Sequence, residues 1–248
     1  MSNGAAPSTS EIDDITSVSA LTDPSRRRMY TFIRRAGRAV TRDEAAASIG
    51  ISRKLAAFHL DKLVDAGLLR ARYGTPGAQR RVGRQAKVYE PTDIQIAVTI
   101  PERRHELLAD LLLEGVLNQH PGRTAAEAAT EAAAARGRRL GEEERDRSRP
   151  GRLGPERALT LCGHMLDASG YEPVRESPTQ IRLRNCPFHP LAAKATDLVC
   201  RLNQAFLVGY LDGLGATSVQ AVLAPRPGEC CVVLTSTSTT PASGQDQP

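Results

Sequence analysis

The chain of 248 residues has no apolar run that approaches the about 18 residues needed to cross a bilayer, so we expect no membrane span. Its first residues, MSNGAAPSTSEIDD, lack the basic start and the apolar stretch of a secretory signal peptide. We therefore expect a cytoplasmic, nucleoid-associated protein, in which structural disulfides are uncommon. No cysteine occurs before residue 160, and we expect the five that follow to be free thiols or metal ligands. They are Cys162, Cys186, Cys200, Cys230 and Cys231.

The signatures of common enzyme classes are also missing. The sequence has no nucleophile elbow, no phosphate-binding glycine loop and no general base placed beside a candidate nucleophile. The alternative is an enzyme that uses the thiols of Cys230 and Cys231. We expect that the protein is not an enzyme.

Positive charge is concentrated in one early segment. Between Pro24 and Asp93 the sequence has 16 Lys or Arg residues and 6 Asp or Glu residues, whereas the remainder of the chain has no excess of positive charge. This asymmetry indicates a polyanionic partner, most simply nucleic acid. A solvated basic surface without a partner is the alternative.

Three helical signals and two strand signals follow one another in this basic segment. LTDPSRRRMYTFIRRAG offers Asp23 as a helix cap, TRDEAAASIG has the capping-box spacing of Thr41 and Glu44, and SRKLAAFHLDKLVDAG begins at Ser52. LLRARYG and QAKVYEPT are typical of strands on either side of the basic loop TPGAQRRVGR. Two short helices joined at Gly50 and followed by a basic hairpin predict a winged helix-turn-helix.

The second helix of such a domain enters the major groove of DNA with its exposed polar side, and basic residues at the hairpin tip reach phosphates or the minor groove. The alternative is a winged helix that serves protein contacts. The residues predicted to contact DNA are Ser52, Arg53, Lys54, His59, Arg80, Arg81, Arg84 and Lys87.

The same segment resembles a known family. LTDPSRRRMYTFI resembles the opening helix of ArsR- and DeoR-type regulators, SRKLAAFHLDKLVDAGLL resembles their recognition helix, and GRQAKVYEPT resembles the segment that closes their wing, with Gln85 where proline is usual. The resemblance covers about residues 20–93. It implies a homodimer that binds a two-fold-symmetric operator in double-stranded DNA. The apolar helix predicted from Glu102 to Asn118 is the candidate dimer element.

The remainder of the chain predicts an α+β protein in which a helical dimerisation linker joins the winged helix-turn-helix to a C-terminal sensor domain of order α-β-β-α-β-β. The linker includes a strand at IQIAVTI and an alanine-rich helix at about residues 123–136. The predicted segments are a disordered tail at 1–16, the winged helix at 17–93, the strand, dimerisation helices and linker at 94–152, the cysteine-containing sensor domain at 153–235 and a disordered tail at 236–248.

Three cysteine-containing stretches of the last domain, NCPF, DLVC and GECCVVL, are similar to those of SufR-like repressors, which regulate iron–sulfur cluster assembly. The resemblance covers about residues 181–234. It implies that Cys186, Cys200 and Cys230 hold an iron–sulfur cluster. The chain departs from the family pattern at His189 and Cys231.

The residues themselves add constraints on such a site. Cys200 lies away from the apolar stripe of its predicted helix, which favours a ligand, a reactive thiol or an interface residue. It can meet Cys186 only if that helix restarts near Thr196, so we predict a break at 195–197. In a strand Cys230 and its neighbour face opposite ways, so only one of them joins a given site.

Two further candidates remain in the same half. His189 is the candidate fourth ligand, either of a cluster or of tetrahedral zinc, and its alternative is a capping or surface histidine. Cys162 shares a helical face with apolar residues and is predicted to belong to the core.

Together these patterns predict a dimeric DNA-binding transcriptional regulator, most simply a repressor. Its C-terminal domain is expected to sense redox or metal status through an iron–sulfur cluster. The alternative is a zinc-binding regulator, or one that responds to an apolar small molecule and uses its cysteines for packing.

Overall fold

The computed structural model of the protein describes residues 9–74 and 86–237. It divides the chain into an N-terminal unit, Met1–Val98, and a C-terminal unit, Thr99–Pro248. No helix in these two stretches combines the length and apolar character that crossing a membrane requires.

Helices and a small sheet make up the N-terminal unit. The sheet is antiparallel and its strand order is β1-β3-β2. The elements are α1 (Thr9–Ala20), α2 (Pro24–Ala36), β1 (Val40–Thr41), α3 (Arg42–Ile49), α4 (Arg53–Asp65), β2 (Leu69–Tyr73) and β3 (Lys87–Pro91).

The caps predicted from the sequence define these helices. The carboxylate of Asp23 accepts hydrogen bonds from the backbone N–H groups of the first turn of α2, at 2.8 and 2.9 Å. Thr41 and Glu44 form a complete capping box at the start of α3. Between α3 and α4, Gly50 adopts a φ of 72°, a left-handed conformation that glycine enters without steric cost. Ser52 then caps α4, so the tight turn of the helix-turn-helix is fixed by local chemistry.

The core of the N-terminal unit joins all three helices of the motif to the sheet. Met29 and Ile33 of α2, Leu60 and Leu63 of α4, and Tyr89 of β3 are fully buried in one cluster. α1 packs on the same body, because the Ser17 hydroxyl donates to the carbonyl of Ala66 at 2.7 Å. This core fixes which side of α4 faces outward.

The C-terminal unit has a helical layer and a four-stranded antiparallel sheet of order β4-β5-β7-β6. One hydrophobic cluster spans its long helices and the sheet. The elements are α5 (His105–Leu117), α6 (Ala125–Ser148), α7 (Pro155–Asp167), β4 (Pro173–Ser177), β5 (Gln180–Leu183), α8 (Leu191–Lys194), α9 (Thr196–Leu214), β6 (Val219–Leu223) and β7 (Val232–Ser236).

Helices α6 and α9 lie in backbone contact because glycines face each other along both. A Cβ atom added at Gly137 would lie 1.9 Å from the carbonyl oxygen of Phe206, and one at Gly209 would lie 2.0 Å from that of Ala134. Gly141 and Gly213 continue the contact one turn further along each helix. This approach excludes any side chain larger than hydrogen at those positions.

Three sequence predictions differ from the structure. Residues 94–100, predicted as a strand, are not in regular secondary structure and pair with no strand among the described residues. The alanine-rich helix predicted at about residues 123–136 continues as α6 through the charged stretch to Ser148, because Gly137 and Gly141 serve the contact with α9 instead of ending the helix. Residues 9–16, predicted as disordered, form the first part of α1.

Candidate functional site

The outward surface of α4 carries most of the described residues that we predicted to contact DNA. Ser52, Arg53 and Lys54 are all exposed at the N-terminal end of this helix. Arg53 forms an ion pair with Asp43 of α3, which ties the two helices of the motif together. Lys54 makes no ion pair within the described residues. It is therefore available for a phosphate or a base edge.

His59 is buried in the domain core and only 7% exposed, so the structure does not place it on the outward surface of α4. We predicted its contact with DNA because polar and basic residues were expected on the exposed side of this helix, but residue type alone does not determine which side is exposed. The neighbouring Phe58 is 54% exposed, and Leu55, three residues earlier, is 44% exposed. Neither residue was among those predicted from the sequence to contact DNA.

The wing is described only at its strands. Arg80, Arg81 and Arg84 lie within 75–85, outside the described residues. At the base of the wing, the Lys87 ammonium lies 3.0 Å from a carboxylate oxygen of Asp61 on α4. This hydrogen bond raises the pKa of Lys87 and links the wing to the recognition helix.

In the C-terminal unit, four cysteines from three separate segments form two pairs beside α9. Cys200 of α9 and Cys231 form a disulfide with a Cα–Cα distance of 6.3 Å. The thiols of Cys186 and Cys230 are hydrogen-bonded to each other. In this structure Cys200 and Cys231 are therefore not free thiols, whereas Cys162, Cys186 and Cys230 are.

Cys230 and Cys231 reach the same helix because they precede β7 and do not belong to it. The backbone N–H of Cys230 donates to Leu183 of β5, and the carbonyl of Cys231 accepts from Ala224 after β6. The residues thus lie in an irregular link held between two strands. Strand alternation does not apply there, but the two residues still join different pairs, Cys230 with Cys186 and Cys231 with Cys200.

The predicted interruption of the helix that carries Cys200 is confirmed. α8 ends at Lys194, Ala195 has an extended φ of −144°, and α9 begins at Thr196. Cys200 is thus the fifth residue of its helix, close to the loop that carries Cys186. Although it lies off the apolar stripe of α9, it is buried, because Cys231 covers it.

A buried polar chain supports the Cys186–Cys230 pair. The Tyr171 hydroxyl donates to Oδ1 of Asn203 at 2.5 Å, and Nδ2 of Asn203 donates to Sγ of Cys230 at 3.2 Å. Burial raises the pKa of Tyr171, so this hydroxyl keeps its proton. Asn203 lies one turn after Cys200 on α9, so the same helix positions both cysteine pairs.

Cys186 has the environment of a reactive thiol. The hydrogen bond from Cys230 lowers its pKa to about 7, with help from the backbone N–H groups of Phe188 and His189 and from the nearby Arg103. The Arg103 guanidinium donates to the Cys186 carbonyl at 2.9 Å, which holds this cation beside the loop. Cys230 experiences the opposite effect, because Cys186 and burial raise its pKa.

The remaining candidate ligand, His189, has an exposed side chain, and its carbonyl contacts the His105 ring at 3.0 Å. Cys162 is fully buried on α7, and burial raises its pKa to about 12, as expected of a core thiol. In the part of the chain that the structure describes, no three His, Cys, Asp or Glu side chains form a ready-made metal site. The structure thus unites four cysteines in pairs and leaves His189 apart.

Comparison with known proteins identifies the type of domain to which α4 belongs. Residues 21–72, from just before α2 to β2, match the family model of a helix-turn-helix domain. The protein is a DNA-binding transcription regulator. Searches of curated proteins and of solved structures gave no match to the chain.

Two other surface features of the regulator lie in its C-terminal unit. Leu113, Val116 and Leu117 of α5 form an exposed apolar face, on which Leu117 is 72% exposed. A cleft of about 870 Å³ lies between α6, α9 and β6. It has apolar walls at Leu198, Ala205 and Leu223. Both are surfaces to which a partner or ligand could bind.

Proposed function

We propose that this regulator is a homodimeric repressor that senses redox or metal status through an iron–sulfur cluster bound by its C-terminal unit. The observation that carries the proposal is that cysteines from three separate segments form two pairs beside α9, Cys186 with Cys230 and Cys200 with Cys231. The three segments are far apart in sequence, and packing of a core alone does not require two cysteine pairs.

Four cysteines are a suitable set of ligands for an iron–sulfur cluster. Iron–sulfur clusters and structural zinc sites are both held by cysteine thiolates, commonly four of them. Cys200 and Cys231 can act as ligands only after reduction of their disulfide. Cys231 is then the better candidate than the exposed His189 for the fourth position. When bound, a cluster would supply a centre whose charge and stability depend on oxidants.

The surrounding residues would favour negatively charged sulfur ligands. Asn203 donates a hydrogen bond to Cys230, and Arg103 and two backbone N–H groups stabilise the thiolate of Cys186. Hydrogen bonds to ligand sulfurs are a general means by which proteins adjust the potential of such groups. These residues were not identified from the sequence as part of the site.

The test is a DNA titration with protein purified without air, before and after chelation or oxidation. The visible spectrum and metal content identify the bound group: broad visible absorption with iron supports a cluster, and a colourless protein with stoichiometric zinc supports the alternative metal. Cys186→Ser should abolish metal retention, whereas the matched control Cys162→Ser should keep it. Equal DNA affinity in every state would overturn the sensing role.

The dimer is proposed to form through the apolar face of α5. Three exposed aliphatic side chains along one helix are costly to leave in water, and burying them against a second copy offsets that cost. Such a dimer would bring two DNA-binding units to one two-fold-symmetric operator. Because its partner is DNA, we expect the regulator to act in the cytoplasm.

Light scattering during gel filtration tests the dimer. Leu117→Glu should shift the protein from dimer to monomer, because it would place a carboxylate in the interface. Asp110→Glu, an exposed position on the same helix, should leave the mass unchanged. A wild-type protein that is monomeric at every concentration would contradict the proposal.

The cleft beside α9 favours a second candidate function, regulation by an apolar small molecule. Its size is within the range of small-molecule sites, and the exposed surface of its lining is mainly apolar. Its charged lining residues are Glu127, Glu131, Asp197 and Arg201. In that case regulation would stay intact after any one of three substitutions: Cys186→Ser, Cys200→Ser or Cys230→Ser. Ala205→Trp, in contrast, would block the cleft and abolish the response to the small molecule.

A further inference from the structure

The recognition helix α4 presents an apolar centre on its outward surface. Phe58 and Leu55 lie three residues apart, on adjacent turns of one helical face, and both are exposed. The core of the unit is complete without them, since Ala56, Leu60 and Leu63 fill the inward side of the same helix. A large exposed aromatic side chain at this position therefore calls for a partner.

The charges around this apolar centre indicate which partner it is. Lys54 and Lys62 are exposed on either side of Phe58 along the helix. Lys62 forms an exposed ion pair with Asp65, 3.6 Å away, on the next turn. The nearest acidic residue, Asp61, is paired with Lys87 of the wing. An apolar centre between cations suits a polyanion with an apolar group on its surface. In the major groove of DNA that group is the 5-methyl of thymine.

The geometry points to Phe58 as the residue that reads thymine in the operator, with Leu55 as the second wall of the methyl contact. This inference rests on DNA binding by the helix-turn-helix unit and adds the base that the unit recognises. The exposed residues at the N-terminal end of α4, Ser52 to Lys54, would contact the backbone or neighbouring base edges. A second protein chain is the competing partner for the same patch.

The test compares thymine with deoxyuridine, whose base lacks only the 5-methyl group. Full-length protein is first used to select its tightest duplex from a random-sequence DNA library. Each thymine of that duplex is then replaced by deoxyuridine in turn, and affinities are measured at fixed salt. For the wild type we expect one position in each half-site to lose affinity about fourfold, which corresponds to the burial of one methyl group.

Variants assign that loss to Phe58. Phe58→Ala should bind the thymine and deoxyuridine duplexes equally, and Phe58→Leu should keep part of the difference. The matched control is Ile15→Ala, an exposed apolar residue of α1 in the same unit, which should respond as the wild type does. A thermal midpoint equal to that of the wild type shows that each variant is folded.

Two results would overturn the inference: no thymine position that responds in the wild type, or the same response in Phe58→Ala. A thymine-free G·C duplex distinguishes these results from a failure of DNA binding. All variants should bind it alike, because the contacts to the phosphates do not depend on sequence. A third result, loss of binding to this duplex in Phe58→Ala alone, would show that Phe58 maintains the structure of the helix. It would also overturn the inference.

Discussion

Asn203 holds the sulfur of Cys230 by a hydrogen bond from its side-chain amide, inside the core of the C-terminal unit. The other end of the same amide accepts the Tyr171 hydroxyl, so both of its polar atoms are used. A buried amide satisfied at both ends has one preferred orientation. The position of the Cys230 sulfur is therefore determined by α9 before any ligand binds.

Replacement of Asn203 by leucine should lower the free energy of unfolding by about 1 to 3 kcal/mol, because the Tyr171 hydroxyl is left buried without a partner. Urea unfolding of the reduced protein measures the loss. Adding Tyr171→Phe should recover part of it, since both ends of the bond are then apolar. Strictly additive effects of the two substitutions would show that the hydrogen bond does not couple them.

Alkylation should distinguish the free thiols of the reduced, metal-free protein. Cys186 should react first, and its rate should rise as the pH passes through about 7, because the thiolate is the nucleophile and dominates above the pKa. Cys162 should stay unmodified until the protein unfolds, since burial raises its pKa to about 12 and shields it. Mass spectrometry of peptides after brief exposure to iodoacetamide gives the order. Modification of Cys162 before Cys186 would contradict it.

Local signals in the sequence were enough to predict the N-terminal unit. Asp23, Thr41 and Ser52 cap their helices by short-range hydrogen bonds, which depend on neighbouring residues only. The α6 boundary was wrong for the opposite reason. Gly137 and Gly141 are poor helix residues locally, and only their contact with α9, far along the chain, explains why the helix continues through them.

Gly209→Ala should lower the free energy of unfolding by about 1 to 3 kcal/mol or more, because the added methyl group would overlap the backbone of α6. Gly163→Ala on α7 is the matched control. Its added Cβ atom would meet only the Ile181 side chain, at 3.8 Å, and alanine favours a helix. It should therefore raise stability by about 0.5 to 1 kcal/mol. Similar losses in both variants would argue against a specific close contact.

Asp61→Asn should strengthen binding to duplex DNA, because it removes a negative charge beside the groove and frees Lys87 for a phosphate. The slope of log affinity against log salt should become more negative by about 0.9. The double variant Asp61→Asn, Lys87→Met should lose this gain. Asp110→Asn removes the same charge from α5 in the other unit and should leave the slope unchanged. An unchanged slope in Asp61→Asn would show that Lys87 does not meet DNA.

The candidate sites were predictable only in part. The resemblance to SufR-like repressors implied Cys186, Cys200 and Cys230 as ligands, and the structure places them in two separate pairs beside α9. The pairing of Cys231 was missed, because strand alternation was applied to a link that is not a strand. The burial of His59 and the exposure of Phe58 also escaped prediction. Both lie on an amphipathic helix whose exact rotation is set by tertiary packing.

The backbone contact between α6 and α9 gives the C-terminal unit a mechanical property. With 24 residues, α6 is a stiff rod about 36 Å long, and its glycines prevent it from sliding along its neighbour. A Cβ atom added at Gly115 of α5 would lie 2.5 Å from the carbonyl oxygen of Ala125, so α5 and α6 are in close contact as well. A small tilt of α9 at Cys200 would therefore move α6 and, through it, the apolar face of α5.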